Sequence, residues 1–289
     1  MPQRPIFWQV LSPLMFAIVP VVRDYMREGG ALPFKRWLYR CFLDPYTNVR
    51  TERFETTSVY GTRFEGTLSG LVQRRVFHFG VFEPNLSRFI WETLAPGDTF
   101  VDVGANVGYF AVLAARAVGA QGRVVAIEAA PSTFAALEAT LERNATTNVR
   151  AVNRAAYDRT AVLPMYTVSA EENAGGASVA KTVGPLEAEV VAQPLAEILE
   201  RDEIARARIV KIDVEGAEAA AVAGLVPALG QTRPDLEIVV EVLAETKDRV
   251  SALLAAAGYV PRVLVNPPDG LTSERGGPEY LIYARPRTA

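Results

Sequence analysis

The sequence predicts an α/β fold: a doubly wound, mostly parallel sheet with a mixed edge and helices on both faces, preceded by an extension of helices and short strands. Three observations carry that expectation. From Thr99 onward, short continuous apolar runs alternate with amphipathic stretches of helical period, the signature of strands buried on both faces. The 289 residues are 49% hydrophobic and 22% charged, enough to fill one large core beside a small accessory region. Charge then divides the chain. Residues 1–75 hold eleven Lys/Arg against six Asp/Glu (+5), and residues 76–289 hold nineteen against twenty-seven (−8), which sum to the overall −3. We therefore expect an accessory region over 1–75 and a main domain over 76–289.

The chain opens with "IFWQVLSPLMFAIVPVV", Ile6 to Val22. Arg4 is the only charge upstream, no small-residue cleavage site follows, and Pro13 and Pro20 interrupt the run, so a signal peptide fits poorly. Seventeen residues broken by Gln9 and two prolines are also marginal for spanning a bilayer. Two readings stand. The segment packs on the main domain or on a second copy in a homodimer, or residues 6–40 make peripheral membrane contact through the basic residues Arg23, Arg27, Lys35, Arg36 and Arg40. Beyond Pro45, "RFETTSVYG" and "TRFEGTLSG" read as short strands, and "NLSRFIWETL" as a helix capped by Asn85.

In the main domain, "TFVDV" is a buried strand and "VGYFAVLAARAV" a helix. "RVVAIEA" is the next strand, followed by the helix "PSTFAALEATLERN" with Pro131 in its first turn. "VRAVNRAA" and "RIVKIDV" are strands, the latter leading into the helix "GAEAAAVAGL". "LEIVVEV", a helix from Thr246 to Ala257, "GYVPRVLV" and "EYLIYARP" complete the order. Only a loop separates the last two strands, which predicts an antiparallel hairpin at the sheet edge.

Composition excludes some chemistries. The single cysteine, Cys41, rules out an internal disulfide and a cysteine zinc cluster, and fits a reducing, cytoplasmic setting. The single histidine, His78, rules out a multi-histidine metal site.

Ligands of such sheets bind beyond the carboxyl ends of the strands, at the switch point of strand order. Three strand ends supply candidates. The first gives Asp102, Gly104, Ala105, Asn106 and Gly108 in "VDVGANVGYF". The second gives Glu128, twenty-four positions after Gly104, where an acid that accepts from ribose hydroxyls is expected. "RIVKIDVEG" gives Asp213 and Glu215. Four carboxylates in one crevice would repel a pyrophosphate, each by on the order of 3 kcal/mol at about 5 Å and an effective dielectric near 20. They suit S-adenosylmethionine, whose sulfonium and ammonium are cationic and whose ribose can donate to Glu128. Two glycines and the small Ala105 would let the ligand lie against the backbone.

Structural alternatives accompany each candidate. Asp102 could be a buried strand-end acid, Asn106 a helix cap, Glu128 a solvated loop acid, and Asp213 and Glu215 acids at a helix N-terminus. Glu83 precedes a helix and could contact the cofactor's ammonium or the acceptor. His78 sits among aromatics in "RRVFHFG", where a packed core histidine is the favoured reading. Ala155 could border adenine or fill a core.

"VDVGANVGYF", "VVAIEAAP" and "IVKIDVEGAE", with "GVFEPNLSRFIWETLAPGD" upstream, resemble the FkbM-like family of S-adenosylmethionine-dependent methyltransferases. The resemblance runs from about Gly80 to Val242 and implies a class I fold of seven strands. It also implies O-methyl transfer to a hydroxyl of a sugar, glycolipid or polyketide. Residues 1–75 lie outside it. In-line transfer to an alcohol needs orientation and a base. Asp213 is the expected acid nearest the methyl group and Glu215 the expected base, with His78 second. No metal is expected, because nothing adds to Asp213 and Glu215 at recognisable ligand spacing, and no nucleic-acid partner is expected. An NAD(P)-dependent oxidoreductase and a non-catalytic adenosyl-binding scaffold remain the alternatives.

Overall fold

The computed structural model describes residues 21–27, 35–39, 53–67, 70–167, 177–178, 185–264 and 279–286. Most of the apolar segment Ile6–Val22 lies outside them, as do Arg40 and Cys41. The chain divides into two compact units, the first reaching Glu83 and the second starting at Pro84.

In the first unit, residues 21–27 form helix α1 and Lys35–Leu38 helix α2. Strands β1 (Arg53–Thr57) and β2 (Arg63–Thr67) pair antiparallel, as the two strand-like runs predict. Their turn is built from side-chain chemistry: the Ser58 hydroxyl accepts from the Tyr60 and Thr62 amides at 3.2 Å, and Gly61 takes the left-handed backbone at φ 76°. Helix α3 (Leu71–Phe79) ends on Gly80, also left-handed. Arg27 ties the unit together, donating to the carbonyls of Thr57, Val76 and Phe77 and to the Thr56 hydroxyl. Lys35 is 4% exposed and lies over the Tyr25 ring. Two members of the basic cluster are therefore engaged inside their own unit.

The second unit begins with helix α4 (Pro84–Thr93). It starts at Pro84, one residue before the expected cap at Asn85, because proline is already set for a first helical turn. Next come β3 (Thr99–Val103), α5 (Tyr109–Val118), β4 (Arg123–Glu128), α6 (Pro131–Arg143) and β5 (Val149–Asn153). The single strand expected over "VRAVNRAA" is divided, its last two residues forming β6 (Ala155–Ala156). A stretch for which no elements were expected follows, and in it β7 (Ala161–Thr167), β8 (Ala177–Ser178) and β9 (Leu186–Gln193) join β6 in a second sheet of order β6-β9-β7-β8. Helices α7 (Leu195–Ile198) and α8 (Arg201–Arg206) return the chain to β10 (Ala207–Ile212). Helix α9 (Glu218–Leu225), β11 (Glu237–Val242), α10 (Ala244–Ala256), β12 (Val260–Val263) and β13 (Glu279–Ala284) complete it.

The main sheet has seven strands in the order β12-β13-β11-β10-β3-β4-β5. Pairs β10–β11, β10–β3, β3–β4 and β4–β5 are parallel. Strand β13 runs antiparallel to both β11 and β12, the mixed edge expected from the helix-free connection. This is the class I methyltransferase fold. Strand β3 is wholly buried, and α5, rich in alanine, is buried on nearly every side. The order reverses at β3, which has β4 on one side and β10 on the other, so the carboxyl ends of β3 and β10 define the switch-point crevice.

Candidate functional site

The turn after β3 is shaped by close approach of backbone to backbone. Gly104 has φ 77°, and a Cβ there would stand 1.8 Å from the Asp213 carbonyl oxygen. Gly108 has φ 89° and caps α5, where a Cβ would meet a Leu137 methyl at 2.7 Å. Both glycines thus answer to packing within the fold before any ligand is considered. The Gly104 and Ala105 amides donate to the Ile127 carbonyl at 2.9 and 3.0 Å, fastening the turn to β4. Asn106 does not cap the helix. It takes φ 50°, its side-chain oxygen accepts from the Val107 amide at 2.7 Å, and its own amide donates to Glu128 at 2.8 Å.

Glu128 is held at both oxygens, Oε2 by the Asn106 amide and Oε1 by the Ala130 amide at 2.9 Å. It is 9% exposed, not a solvated loop acid. Burial pushes its carboxyl above the usual range, and the two amides only partly offset that. Each carboxylate oxygen has two lone pairs, so capacity for further donors remains. Asn153, which sequence reasoning missed, faces Glu128 across β5–β4 and donates to the Glu128 and Ala129 carbonyls at 2.9 and 3.0 Å.

Asp102 is fully enclosed, directly opposite Lys211 in the parallel β3–β10 register. The Lys211 ammonium lies 3.3 Å from Asp102 Oδ1, 3.3 Å from Asp213 Oδ2 and 3.2 Å from the Gly104 carbonyl. It also sits 5.2 Å from the centre of the Phe110 ring. Burial pushes the Asp102 carboxyl up and Lys211 opposes that shift. The crevice of four carboxylates therefore has an internal cation, and Asp102 is not a bare charge at its mouth. Lys211 thereby offsets the repulsion of a pyrophosphate expected from Asp102. Lys211 was legible in principle, because a lysine inside the apolar strand "RIVKIDV" demands a buried partner.

Asp213 leaves the end of β10 with its side chain 20% exposed, and the Tyr280 hydroxyl donates to its Oδ2 at 3.4 Å. Glu215 is half-buried with φ 53°, an uncommon backbone for a non-glycine residue, next to Gly216 at φ 102°. Glu218, also missed, is fully buried and accepts from the Gly216 amide at 2.7 Å. Burial raises its carboxyl, with the Gly216 amide pulling the other way. Among the described residues, no group of three or more His, Cys, Asp or Glu is arranged to hold a metal ion.

The remaining candidates separate. Ala155 is 4% exposed and packs with Ala130, Met165, Val190 and Ala192. His78 belongs to the first unit, 0% exposed among the rings of Tyr39, Phe77 and Phe79. Burial first, then Arg74, Arg75, Arg27 and Arg23, pull its pKa down to about 3. Glu83 closes that unit with φ 42°.

The residues present suit S-adenosylmethionine. Glu128 offers acceptor capacity at the second strand end, Asp213 offers a partly exposed carboxylate, and the turn after β3 presents backbone. The sequence profile described as "Methyltransferase FkbM domain" matches residues 102–261, more than half of the chain. No curated protein matches. Among solved structures, a candidate rRNA methylase of Clostridium thermocellum is similar at 12% identity and TM-score 0.49, over 71% of this chain and 96% of that one. Aeropyrum pernix fibrillarin with natively bound S-adenosylmethionine is similar at 15% identity and TM-score 0.42, over 66% and 68%. An S-adenosylmethionine-dependent O-methyltransferase of Thermotoga maritima is similar at 14% identity and TM-score 0.44, over 86% and 82%. Profile, strand order and crevice agree, and the chain belongs to the FkbM family of S-adenosylmethionine-dependent methyltransferases.

Proposed function

We propose that the protein is an O-methyltransferase whose acceptor is a hydroxyl of a glycan, glycolipid or polyketide. One observation carries the choice of oxygen: Glu215, a half-buried carboxylate two residues beyond Asp213, is held in a strained left-handed backbone. Such strain persists only where the surroundings enforce it, and it gathers at functional sites. A hydroxyl is a weak nucleophile until its proton is removed, and a fixed carboxylate supplies that base.

When bound, S-adenosylmethionine supplies an electrophilic methyl group on a positively charged sulfur. Glu128 accepts from the ribose hydroxyls, and the turn from Gly104 to Gly108 supports the ligand along its backbone. Asp213 faces the cationic end. Glu215 would take the acceptor's hydroxyl proton as the oxygen receives the methyl group. His78 is the second candidate for the base, and its enclosure among aromatic rings is why Glu215 is preferred. For residues 6–40, the inward engagement of Arg27 and Lys35 favours packing or dimerisation over membrane contact.

The test is transfer of label from methyl-labelled S-adenosylmethionine into glycan, glycolipid and RNA fractions. The expected product is an alkali-stable methyl ether in glycan or glycolipid. Glu215→Gln should cut its formation roughly 100-fold while leaving cofactor affinity near the parent value. Label confined to alkali-labile esters or to RNA would overturn the assignment.

A further inference from the structure

We propose that Lys211 is a positioning residue for methyl transfer. Its ammonium clamps one oxygen of Asp213 and the carbonyl of the glycine turn, and Asp102 exists to hold that ammonium. The inference rests on the reading of Asp213 as the acid that faces the cofactor's cationic end.

A lysine that is 2% exposed loses several kcal/mol of hydration and keeps its proton only if paired. One carboxylate would serve that need, and Asp102, wholly enclosed beside it, supplies one. Asp213 has a different position. Its side chain reaches solvent, so it needs no buried counter-ion, yet it lies as close to the ammonium as Asp102 does. The three contacts, together with the Phe110 ring, point the ammonium in four fixed directions with only three N–H donors to distribute.

The clamp is also one-sided. Lys211 and the Tyr280 hydroxyl both engage Oδ2 of Asp213, so Oδ1 takes part in neither contact and is left to meet a ligand. The lysine joins this carboxylate to the Gly104 carbonyl, the atom that heads the turn from β3. Two walls of the switch-point crevice, on β3 and on β10, are thereby fixed to one atom. The Asp213 oxygen left outside the clamp is an acceptor of the kind that complements a ligand whose reacting end is cationic.

Lys211→Met alone strands Asp102, so misfolding could imitate the expected effect. The pair Lys211→Met with Asp102→Asn removes both buried charges and keeps the volume. Cofactor binding by calorimetry and thermal unfolding without cofactor are compared for the parent, this double variant and Asp213→Asn. The double variant should melt near the parent yet bind S-adenosylmethionine about tenfold or more weakly, the weight of a lost charge-assisted contact. Asp213→Asn should weaken binding similarly, and adding it to the double variant should cost little more, because both changes disable one carboxylate. If the double variant regains parental affinity along with its stability while Asp213→Asn binds weakly, Lys211 is merely the counter-ion of Asp102 and the inference fails alone. If Asp213→Asn binds like the parent, the reading of Asp213 fails and takes the inference with it.

Discussion

Glu215 spends conformational energy to stand where it does. A left-handed backbone costs a residue with a Cβ roughly 1–2 kcal/mol, and glycine avoids that cost. Glu215→Gly should therefore raise the stability of the second unit by about 1 kcal/mol while turnover falls roughly 100-fold. Chemical denaturation beside the labelled-methyl assay would show the two moving in opposite directions; a variant that is both stable and active would mean the carboxylate has no part in the chemistry. Asp102, Glu128, Asp213 and Glu215 are legible in the sequence as candidates, because an acid at or just beyond the end of an apolar strand has few structural reasons to be there. What the sequence hides is enclosure. Asp102 reads as a charge facing its ligand, and only the strand register reveals Lys211 directly across from it. Glu218 is hidden by context, since three residues beyond Glu215 it looks like an ordinary first-turn helix acid.

The turn after β3 is the element on which the crevice depends, and its two glycines should fail differently. A methyl group at Gly104 would collide with the Asp213 carbonyl, a backbone atom that can retreat only by parting β3 from β10. Gly104→Ala should cost about 3–5 kcal/mol, backbone strain and overpacking together, and cofactor binding should be lost. At Gly108 the neighbour is the tip of a leucine side chain, which can turn aside. Gly108→Ala should cost about 1–2 kcal/mol, mostly backbone strain. Denaturant titration of both variants checks the order, and equal costs would refute the distinction. The strands and helices around this turn are legible because burial on both faces leaves unbroken apolar runs. The second sheet is not. Strand β7 reads "AVLPMYT", with Pro164 where a strand interior rarely tolerates one, and it is the antiparallel pairing with β9 and β8 that makes it a strand. Helix α10 begins at Ala244, ahead of the expected Thr246, because the Thr246 hydroxyl accepts from the Leu243 amide at 3.1 Å and so caps the helix from inside it.

Across the whole molecule, acid should act on the two units with opposite sign. His78 is depressed from 6.5 to about 3, so its contribution to stability is complete above pH 6.5 and is lost as pH falls toward 3. Between pH 6.5 and 5 that amounts to about 2 kcal/mol of the first unit's stability, at 1.36 kcal/mol per pH unit. Asp102, Glu128 and Glu218 are raised, so their contribution is present below the ordinary carboxylate range and is lost as pH climbs through their folded values. Hydrogen exchange, corrected for its intrinsic pH dependence, should speed up in α3 on going from pH 7 to 5 but not in β3 or β4. His78→Gln should abolish the acid response of α3; if the response persists, another group is its source. Among the described residues no helix is long and apolar enough to cross a membrane. The chain divides into two compact units between Glu83 and Pro84, and each is expected to respond to acid in its own way.

The antiparallel strand β13 has a consequence for how the chain is made. Among the described residues it is the last strand in sequence, yet it lies between β11 and β12, and β12 has no other neighbour in the sheet. During synthesis β12 emerges before the strand it must pair with, and it waits with unmet amides and carbonyls until residues 279–284 arrive. A ribosome that stalls in that interval, or a frameshift just past Val263, removes two strands rather than one. It also leaves β11 as an open apolar edge, the template on which unfinished chains join one another.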